Sequence, residues 1–379
     1  MAIEGEIVVT LHWDGRRTQR ATVRSTRPSA AARVAVARRP AEAVHLLPTL
    51  FAICGHAQRA AASAALGAAG ADLEVPALAP VAVQLEAVQE GFWRLLIDIP
   101  RALGLATATA AVAAVRAQVA RAIDLVRARG DAARATLLDA ASALDAAAGE
   151  LVYGCAPAAW LAGMDPAAYE RWCAAGETLP ARALSKLAHA SPGLGRSDTP
   201  LLPELEGSGW TSVVEALQRD SAFAGAPTWD GVAAETGPLA RQRDQRLIAA
   251  LIARDGCSAG TRIAARLVEL ARLLAALRQR EDEPSDTVRA WRLDAHSGIA
   301  AVQTARGLLL HAARIDGEHI ADYRIVAPTD WNFHPDGALA HGLAGLEADD
   351  AATLAERAGL AVIALDPCVA FRIEIAGHA

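Results

Sequence analysis

The chain has 379 residues, of which 53% are hydrophobic and 21% are charged, so it can bury a large apolar core within one domain. Its net charge is −6, and the arginines are scattered among acidic residues. This balance argues against nucleic acid or an anionic membrane as a partner, because both attract dense cationic patches. The N-terminus lacks the regions of a signal peptide, and no apolar stretch approaches roughly 20 residues without a charge. We therefore expect a cytoplasmic protein with no membrane span.

The first elements are a predicted hairpin and two helices. Residues 6–14 and 20–25 have strand composition around a turn at Gly15, which predicts a β-hairpin at the edge of a small sheet. Helical signals begin at Pro40, because proline is favoured in a first helical turn, and they resume in the alanine-rich run after Cys54. Cys54 should then stand at a helix N-terminus, where the dipole and free N–H groups lower the pKa of a thiol.

The middle of the chain reads as a helical block. Apolar residues recur at spacings of three and four in three runs, the last of which ends before the charged stretch 280–284. Gly130 is a natural C-terminal cap and Asp131 a natural N-cap, so the first two helices should be antiparallel neighbours. Residues 190–235 are rich in Gly, Pro and Ser and predict an irregular connection with short helices. The runs are Val112, Val115, Val119, Ile123 and Val126; Leu137, Leu138 and Leu144; and Ile263, Leu267, Leu270, Leu274 and Leu277.

Strand-like runs return after Thr287. Residues 298–303, 307–314 and 320–327 predict strands, and the dipeptide Asp-Gly at 316–317 predicts a hairpin turn between the last two. One further helix, over residues 349–358, should lead through Gly359 and an apolar run to the C-terminal Asp-Pro-Cys.

These patterns predict an α-dominated α+β protein. We expect a single domain over residues 1–379, made of a β-hairpin region (1–39), a helical block (40–283) and a β-rich segment (284–379). The N- and C-terminal segments should converge on a buried site over a long helical bundle.

Five cysteines form no closely spaced pair and leave an odd thiol, so a disulfide framework is not expected. A lone cysteine is usually a buried apolar residue, and we interpret Cys155, Cys173 and Cys257 in this way. Cys54, followed by Gly55, and Cys368, in Asp-Pro-Cys, stand apart because each has the sequence context of half a metal-ligand motif.

Four segments in collinear order resemble the large subunits of [NiFe]-hydrogenases. In that family, Cys-Gly-x-Cys and Asp-Pro-Cys-x-x-Cys supply four thiolates to nickel and iron, whereas here Ala57 and Phe371 replace the second cysteine of each pair. The resemblance covers residues 3–60 and 300–374, and it implies a helical bundle with small β-sheet elements from both ends of the chain. The segments are residues 39–43 (Arg-Pro-Ala-Glu-Ala) with 53–55 (Ile-Cys-Gly), 305–311 (Ala-Arg-Gly-Leu-Leu-Leu-His), 327–332 (Ala-Pro-Thr-Asp-Trp-Asn) and 366–368 (Asp-Pro-Cys).

The resemblance also implies roles for individual residues. Cys54 and Cys368 would be metal ligands, and Arg306 and Thr329 would donate hydrogen bonds to cyanide ligands on iron. Guanidinium and hydroxyl donors suit this task, because metal-bound cyanide is an anionic acceptor. Asp366 would support the site and could pair with Arg306.

The departures from the family are selective. The missing cysteines are those that bridge nickel and iron in the family. Ala32 stands at the position of the proton-relay carboxylate, with no replacement nearby. Glu374 occupies the position of the histidine that, in the family, marks the site of C-terminal processing. This combination resembles the HupK/HoxV type of hydrogenase maturation protein.

That resemblance implies a non-catalytic scaffold. It would assemble or transiently carry an Fe(CN)2(CO) fragment for a hydrogenase large-subunit precursor, and no nickel is expected. Two thiolates suit such a soft iron site. Its partners would be small chaperone-type and iron-delivering maturation proteins, together with that precursor.

Two alternatives stay open from the sequence. One is a metal-free mimic of the large subunit that regulates or chaperones maturation by occupying its partners. The other is a divergent hydrogenase or hydrogen sensor, against which the absent bridging cysteines and relay carboxylate argue. His311 and His334 read as structural histidines. His56 reads as a polar or capping residue rather than a partner of Cys54, because neighbouring helical residues point about 100° apart.

Overall fold

The computed structural model describes residues 5–27, 29–128, 131–204, 210–279 and 287–377. Some predicted features lie outside the described parts: the cap at Gly130, the side chain of Asp131 and the charged stretch 280–284. The predicted boundary between the helical block and the β-rich segment falls in that stretch and is not described either. The helices are α1 (Pro40–Leu50), α2 (Gly55–Ala68), α3 (Ala79–Trp93), α4 (Ile99–Ala102), α5 (Thr109–Ala128), α6 (Asp131–Ala148), α7 (Pro157–Gly163), α8 (Pro166–Ala175), α9 (Leu179–Ala190), α10 (Trp210–Arg219), α11 (Pro238–Gln242), α12 (Arg246–Asp255), α13 (Ala259–Gln279), α14 (Pro328–Asn332), α15 (Ala338–Leu343) and α16 (Ala351–Ala364). The strands are β1 (Glu6–Trp13), β2 (Thr18–Ser25), β3 (Val288–Arg292), β4 (Ser297–Thr304), β5 (Gly307–Asp316), β6 (His319–Val326) and β7 (Ala370–Gly377).

The N- and C-terminal segments share a three-stranded sheet of order β2-β1-β7. The predicted hairpin is confirmed, since β1 and β2 pair antiparallel with Val9 opposite Val23. Within this hairpin, β2 is an edge strand, whereas β1 is the central strand of the sheet. β1 pairs in parallel with β7, with Ile7 opposite Phe371. β7 begins directly after the Cys368 segment, so this sheet ties that cysteine to the start of the chain.

The second sheet is four-stranded and antiparallel, in the order β3-β4-β5-β6. The three predicted strands and the hairpin turn at 316–317 are confirmed, and β3 adds an edge strand. Side chains alternate between two buried faces. On β4, Ala300 and Val302 pack with α2, whereas Ile299 and Ala301 pack with residues of α10.

Helix α13 lies at the centre of the helical block and contacts α3, α6, α7, α9, α11, α12 and α16. All five apolar residues of the third predicted run belong to it and are buried, as the periodicity predicts. Helices α5 and α6 pack together. In the 190–235 connection, the described residues hold α10 and a short 3-10 turn, Phe223–Gly225, which confirms the prediction there.

Helix α16 is longer than its sequence predicts. The sequence pattern predicts an end at residue 358, but the helix continues through Gly359 to Ala364. A Cβ on Gly359 would lie 3.8 Å from the ring of Phe371 on β7, so this position lies at a close helix–strand contact. The residues that follow are largely buried, and this burial outweighs the roughly 1 kcal/mol that glycine costs inside a helix.

His311 on β5 joins α2 to the second sheet. Its side chain is fully buried, with Nδ1 2.7 Å from the Tyr323 hydroxyl and Nε2 3.0 Å from Oε1 of Gln58. These partners confirm its structural interpretation. Burial lowers the pKa of His311 to about 3, so the ring stays neutral. Across the described ranges, no helix combines the length and the apolar character needed to cross a membrane.

Leu270 tests the central position of α13. It is 1% exposed, and its Cδ1 would lie 3.4 Å from a Cβ added at Gly91 on α3. Leu270→Ala should lower the free energy of unfolding by roughly 2–5 kcal/mol, because the tight packing leaves a cavity. Leu138 on α6 is 38% exposed, and Leu138→Ala is the matched control, expected to change that free energy by about 0.5 kcal/mol or less. Urea unfolding measures both, and equal losses would contradict this packing.

His311 should make stability depend on pH. Its folded pKa lies below its ordinary 6.5, so the unfolded chain binds a proton that the folded protein excludes. The stability from neutral His311 is complete above about pH 6.5 and is lost as the pH falls toward about 3. His311→Gln should therefore show a weaker loss of the urea midpoint between about pH 7 and pH 4. His296→Gln, at an exposed position, should keep the slope of the unmodified protein. Identical slopes for all three proteins would exclude His311 as the cause.

Candidate functional site

Cys54 and Cys368 line one pocket, together with Arg306. The pocket encloses about 530 Å³, its open mouth included. Cys54 stands at the N-cap of α2, and Cys368 lies between α16 and β7. The apolar wall is formed by Leu50, Phe51, Ile53, Leu309, Pro328 and Val369. The structure thus brings the two cysteines from opposite ends of the chain to the same cavity.

Cys368 is held by Thr329 at the start of α14. The Thr329 hydroxyl lies 2.9 Å from Sγ of Cys368, and it accepts a hydrogen bond from the backbone N–H of Cys368 at 3.3 Å. Thr329 is 1% exposed and is not among the residues that line the pocket. Its observed contact is therefore with the thiol, while Arg306 faces the cavity directly.

The prediction of a lowered Cys54 pKa is wrong. Burial raises the pKa of this thiol to about 12, with further contributions from the charges of Glu86 and Cys368. The free N–H groups of the helix N-terminus are already used: those of His56 and Ala57 donate to the two carboxylate oxygens of Glu86 at 3.0 and 3.1 Å. The thiol itself accepts only a long contact, 3.6 Å from Nε2 of Gln58.

Asp366 lies among three arginines. Its Oδ1 is 2.5 Å from Nε of Arg94 and 3.2 Å from Nε of Arg306, and its Oδ2 is 2.7 Å from Nη2 of Arg266. The expected pairing of Asp366 with Arg306 is thus present. Burial alone would raise the pKa of Asp366, but the three guanidinium groups outweigh it and hold the value at about 2. Asp366 has a backbone φ of 58°, a left-handed conformation that aspartate adopts more readily than most residues with a side chain.

Arg306 is fixed from two sides at the β4–β5 turn. Its Nη2 lies 2.6 Å from Oε2 of Glu90, and its Nε faces Asp366. The side chain is 5% exposed. A guanidinium held by two carboxylates keeps one orientation, so Arg306 presents a fixed cation to the pocket.

Four residues of this site were missed from the sequence: Glu86, Glu90, Arg94 and Arg266. A signal for the first three existed, because these charged residues recur every four positions among mostly apolar neighbours, along α3 and at the residue that follows it. Arg266 likewise interrupts the apolar pattern of α13.

A carboxylate does lie near the site, although none was found near position 32. Ala32 is buried on the 3-10 turn Ser29–Ala35, as its small apolar side chain allows. Glu86 instead approaches from α3, and burial raises its pKa to about 7 against the effect of its two backbone hydrogen bonds. Glu86 is distant from residue 32 in the sequence, and only the packing of α3 beside α2 brings it to the site.

His334 and the other three cysteines do not line the cavity. His334 accepts a hydrogen bond from the backbone N–H of Asp336 at 3.0 Å, which fits a structural role. Cys257 is buried, as expected, whereas Cys173 is partly exposed. Cys155 is exposed, so its interpretation as a buried residue is wrong: it follows Gly154, where a left-handed turn ends the helical segment. Among the described residues, no group of three or more His, Cys, Asp or Glu side chains is placed to hold a metal ion.

Comparisons with solved structures identify the fold. The Ni-Fe-Se hydrogenase of D. vulgaris Hildenborough in the reduced state matches with a TM-score of 0.58 over 93% of each chain, at 16% identity. An NAD+-reducing [NiFe]-hydrogenase matches with a TM-score of 0.52 over 94% of each chain, at 17% identity. At such identities the likeness concerns the fold alone, and it confirms the predicted hydrogenase large-subunit-like α+β architecture.

Sequence comparisons identify the family. Residues 204–373 match the family model described as nickel-dependent hydrogenase. The hydrogenase expression/formation protein HoxV of Cupriavidus necator is 32% identical over 92% of this chain and 91% of its own. The hydrogenase expression/formation protein HupK of Rhizobium leguminosarum bv. viciae is 32% identical over 93% of this chain and 92% of its own. The chain therefore belongs to the HoxV/HupK family of hydrogenase expression/formation proteins.

Proposed function

We propose that this protein is a non-catalytic maturation scaffold that holds an Fe(CN)2(CO) fragment between Cys54 and Cys368 on its way to a [NiFe]-hydrogenase large-subunit precursor. The names of its relatives support a role in hydrogenase formation. The observation that carries the finer proposal is the meeting of two thiols and one fixed guanidinium in a single pocket.

The donor set fits this cargo. Two thiols supply two soft ligands, and iron that already carries two cyanides and one carbonyl brings three ligands of its own. Arg306 lines the same pocket and offers N–H donors, for which a cyanide nitrogen is a suitable acceptor. The apolar residues that also line the pocket suit the carbonyl, which needs no strong hydrogen bond.

The charges around the pocket suit the loaded state. Ferrous iron with two cyanides and two thiolates is a dianion, and burying it requires compensating positive charge. Arg306 supplies such a charge in the lining of the pocket. Its guanidinium is shared between Asp366 and Glu90, and that of Arg94 between Asp366 and Asp98, so the carboxylates of the cluster balance its three arginines and hold the guanidinium groups in place.

The high pKa of Cys54 suits a transient site. Thiolate, not thiol, is the metal ligand, so a buried thiol with a pKa of about 12 binds stray cations poorly. Iron that takes this sulfur displaces its proton, and return of the proton favours release. Such a balance fits a carrier that receives cargo from an iron-delivering protein and passes it on.

The positions of the two absent cysteines serve packing here. Ala57 is fully buried, and its N–H is bound to Glu86. Phe371 on β7 packs at Gly359 of α16. In our proposal, the bridging ligands of a nickel–iron pair are thus replaced by contacts that secure the α2 turn and the C-terminal strand.

Infrared spectroscopy tests the proposal. Protein purified anaerobically after co-production with its maturation partners should contain iron and show stretching bands of carbonyl and cyanide. Cys54→Ser and Cys368→Ser should each abolish these bands, because each removes one of two thiolate ligands. Cys155→Ser, at an exposed position away from the pocket, is the matched control and should retain them.

Each negative result has a definite meaning. Absence of bands from the unmodified protein would overturn the scaffold and favour a metal-free mimic of the large subunit. Bands that persist in both pocket variants would place the fragment elsewhere. Nickel in the purified protein, or hydrogen–deuterium exchange activity, would point to a divergent hydrogenase.

Variants of Arg306 and Thr329 should separate their two roles. Arg306→Lys should shift the cyanide bands more than the carbonyl band, because cyanide is the stronger acceptor of the guanidinium N–H. Thr329→Val should shift carbonyl and cyanide bands together, because its hydroxyl contacts the sulfur of Cys368 and so affects the iron as a whole. A shift of one cyanide band alone in Thr329→Val would instead support direct donation from Thr329 to cyanide.

A further inference from the structure

We infer that one face of helix α3 and of the π turn that continues it, Arg94–Asp98, aligns the two halves of this site through a charged stripe formed by Glu86, Glu90, Arg94 and Asp98. The inference rests on the proposed function for its cargo. The contacts that carry it, however, are those of the protein alone.

The stripe is unusual because its charged side chains turn inward. Glu90, Arg94 and Asp98 expose only 12%, 11% and 17% of their side chains. A charged stripe on an amphipathic helix normally faces water. Buried charges need partners, and each member of this stripe finds at least one. For Glu86, Glu90 and Arg94, that partner lies on a chain segment that carries Cys54, Arg306 or Cys368.

Glu86 holds the segment of Cys54. Its two oxygens accept hydrogen bonds from consecutive backbone N–H groups, those of His56 and Ala57, in the first turn of α2. These donors have no partner within their own helix, and a carboxylate is their preferred acceptor. The contact therefore fixes the turn from which the Cys54 side chain leaves.

Glu90, one turn further on, holds Arg306. The 2.6 Å contact between its Oε2 and Nη2 of Arg306 joins α3 to the β4–β5 turn. Since the Nε of Arg306 is engaged by Asp366, this second contact determines the rotation of the guanidinium plane over the pocket.

Arg94 holds the segment of Cys368. Its Nη2 donates to the carbonyl oxygen of Pro367 at 2.8 Å, and its Nε lies 2.5 Å from Asp366. The third nitrogen, Nη1, lies 2.7 Å from Asp98. All three nitrogens are thus engaged, and two of them bind the two residues immediately before Cys368.

The backbone spreads the contacts of the stripe over neighbouring segments. Residues four apart on an α-helix are rotated by about 40° at each step, so Glu86, Glu90 and Arg94 fan gradually around the axis. Beyond them, Arg94–Asp98 forms a π turn, which is wider and brings Asp98 back to within 2.7 Å of Arg94. Glu86, Glu90 and Arg94 are therefore positioning residues, and they set the relative positions of three segments distant in sequence.

Thiol alkylation of the cargo-free protein tests the stripe. Glu86→Gln should give faster amide exchange at residues 55–58 and accelerate iodoacetamide modification of Cys54 about fivefold or more, because the first turn of α2 loses a hydrogen-bond acceptor. Loss of the Glu86 charge also favours the Cys54 thiolate, so faster alkylation with unchanged amide exchange at these residues would contradict a positioning role. Cys368 should be unchanged in that variant. Arg94→Met should have the converse effect, accelerating Cys368 and leaving Cys54 unchanged. Mass spectrometry of the separate peptides measures both, with exposed Cys155 as internal reference.

Matched controls use the same substitutions at exposed sites. Glu74→Gln and Arg121→Met should leave both cysteines unaffected, since Glu74 and Arg121 are exposed. Should Arg94→Met not fold, Arg94→Lys tests the same contact, because one ammonium cannot engage Asp366, Asp98 and the Pro367 carbonyl as the planar guanidinium does. Equal acceleration of both cysteines in each variant, or of neither, overturns the inference.

The outcome is independent of the scaffold proposal. If the unmodified protein shows no carbonyl or cyanide bands, the proposed cargo fails, while the alkylation pattern still decides whether the stripe aligns the two cysteines. If the bands are present, Glu90→Gln should shift the cyanide bands, because Arg306 then loses its second carboxylate. Unchanged cyanide bands in that variant would exclude Glu90 as a positioning residue.

Discussion

A single buried carboxylate, Asp366, joins the parts of the chain that form the pocket. It compensates Arg94 beside α3, Arg266 on α13 and Arg306 at the β4–β5 turn. An uncompensated buried charge costs several kcal/mol, so these three arginines can be buried together only with a carboxylate between them. Because Pro367 and the second cysteine follow directly, the same ion cluster that stabilises the interior also fixes where the C-terminal thiol enters the pocket.

Much of the fold could be predicted from the sequence, because periodicity and turn residues are local signals. The N-terminal hairpin, the apolar stripe of α13 and the hairpin at 316–317 all follow from patterns within a few turns or strands. The pairing of β1 with β7 could not be predicted in this way. Parallel strands are joined by long connections, and here almost the whole chain lies between them. The extension of α16 past Gly359 has the same origin, since the contact with Phe371 depends on that pairing.

For the site, the motifs identified residues but not their environments. Cys54, Cys368 and Arg306 do share a cavity. A helix N-terminus usually lowers the pKa of a thiol, but the pKa of Cys54 is raised. The free N–H groups at the start of α2 donate to Glu86 and not to the Cys54 sulfur. The approach of Glu86 depends on how α3 packs beside α2, which is tertiary information. Local sequence specified the groups that do chemistry; packing specified which charges surround them.

In the proposed function, those surroundings would select the cargo. A bare divalent cation entering the pocket would meet the Arg306 guanidinium and, at Cys54, a protonated thiol, and both would oppose its binding. Iron that already carries two cyanides would bring anionic ligands that the same guanidinium attracts, and this attraction would offset part of the cost of displacing the thiol proton. One arrangement would therefore disfavour free metal and favour the ligated fragment. In the proposed function, the retention of Arg306 and Asp366 alongside only two of four cysteines follows from that requirement.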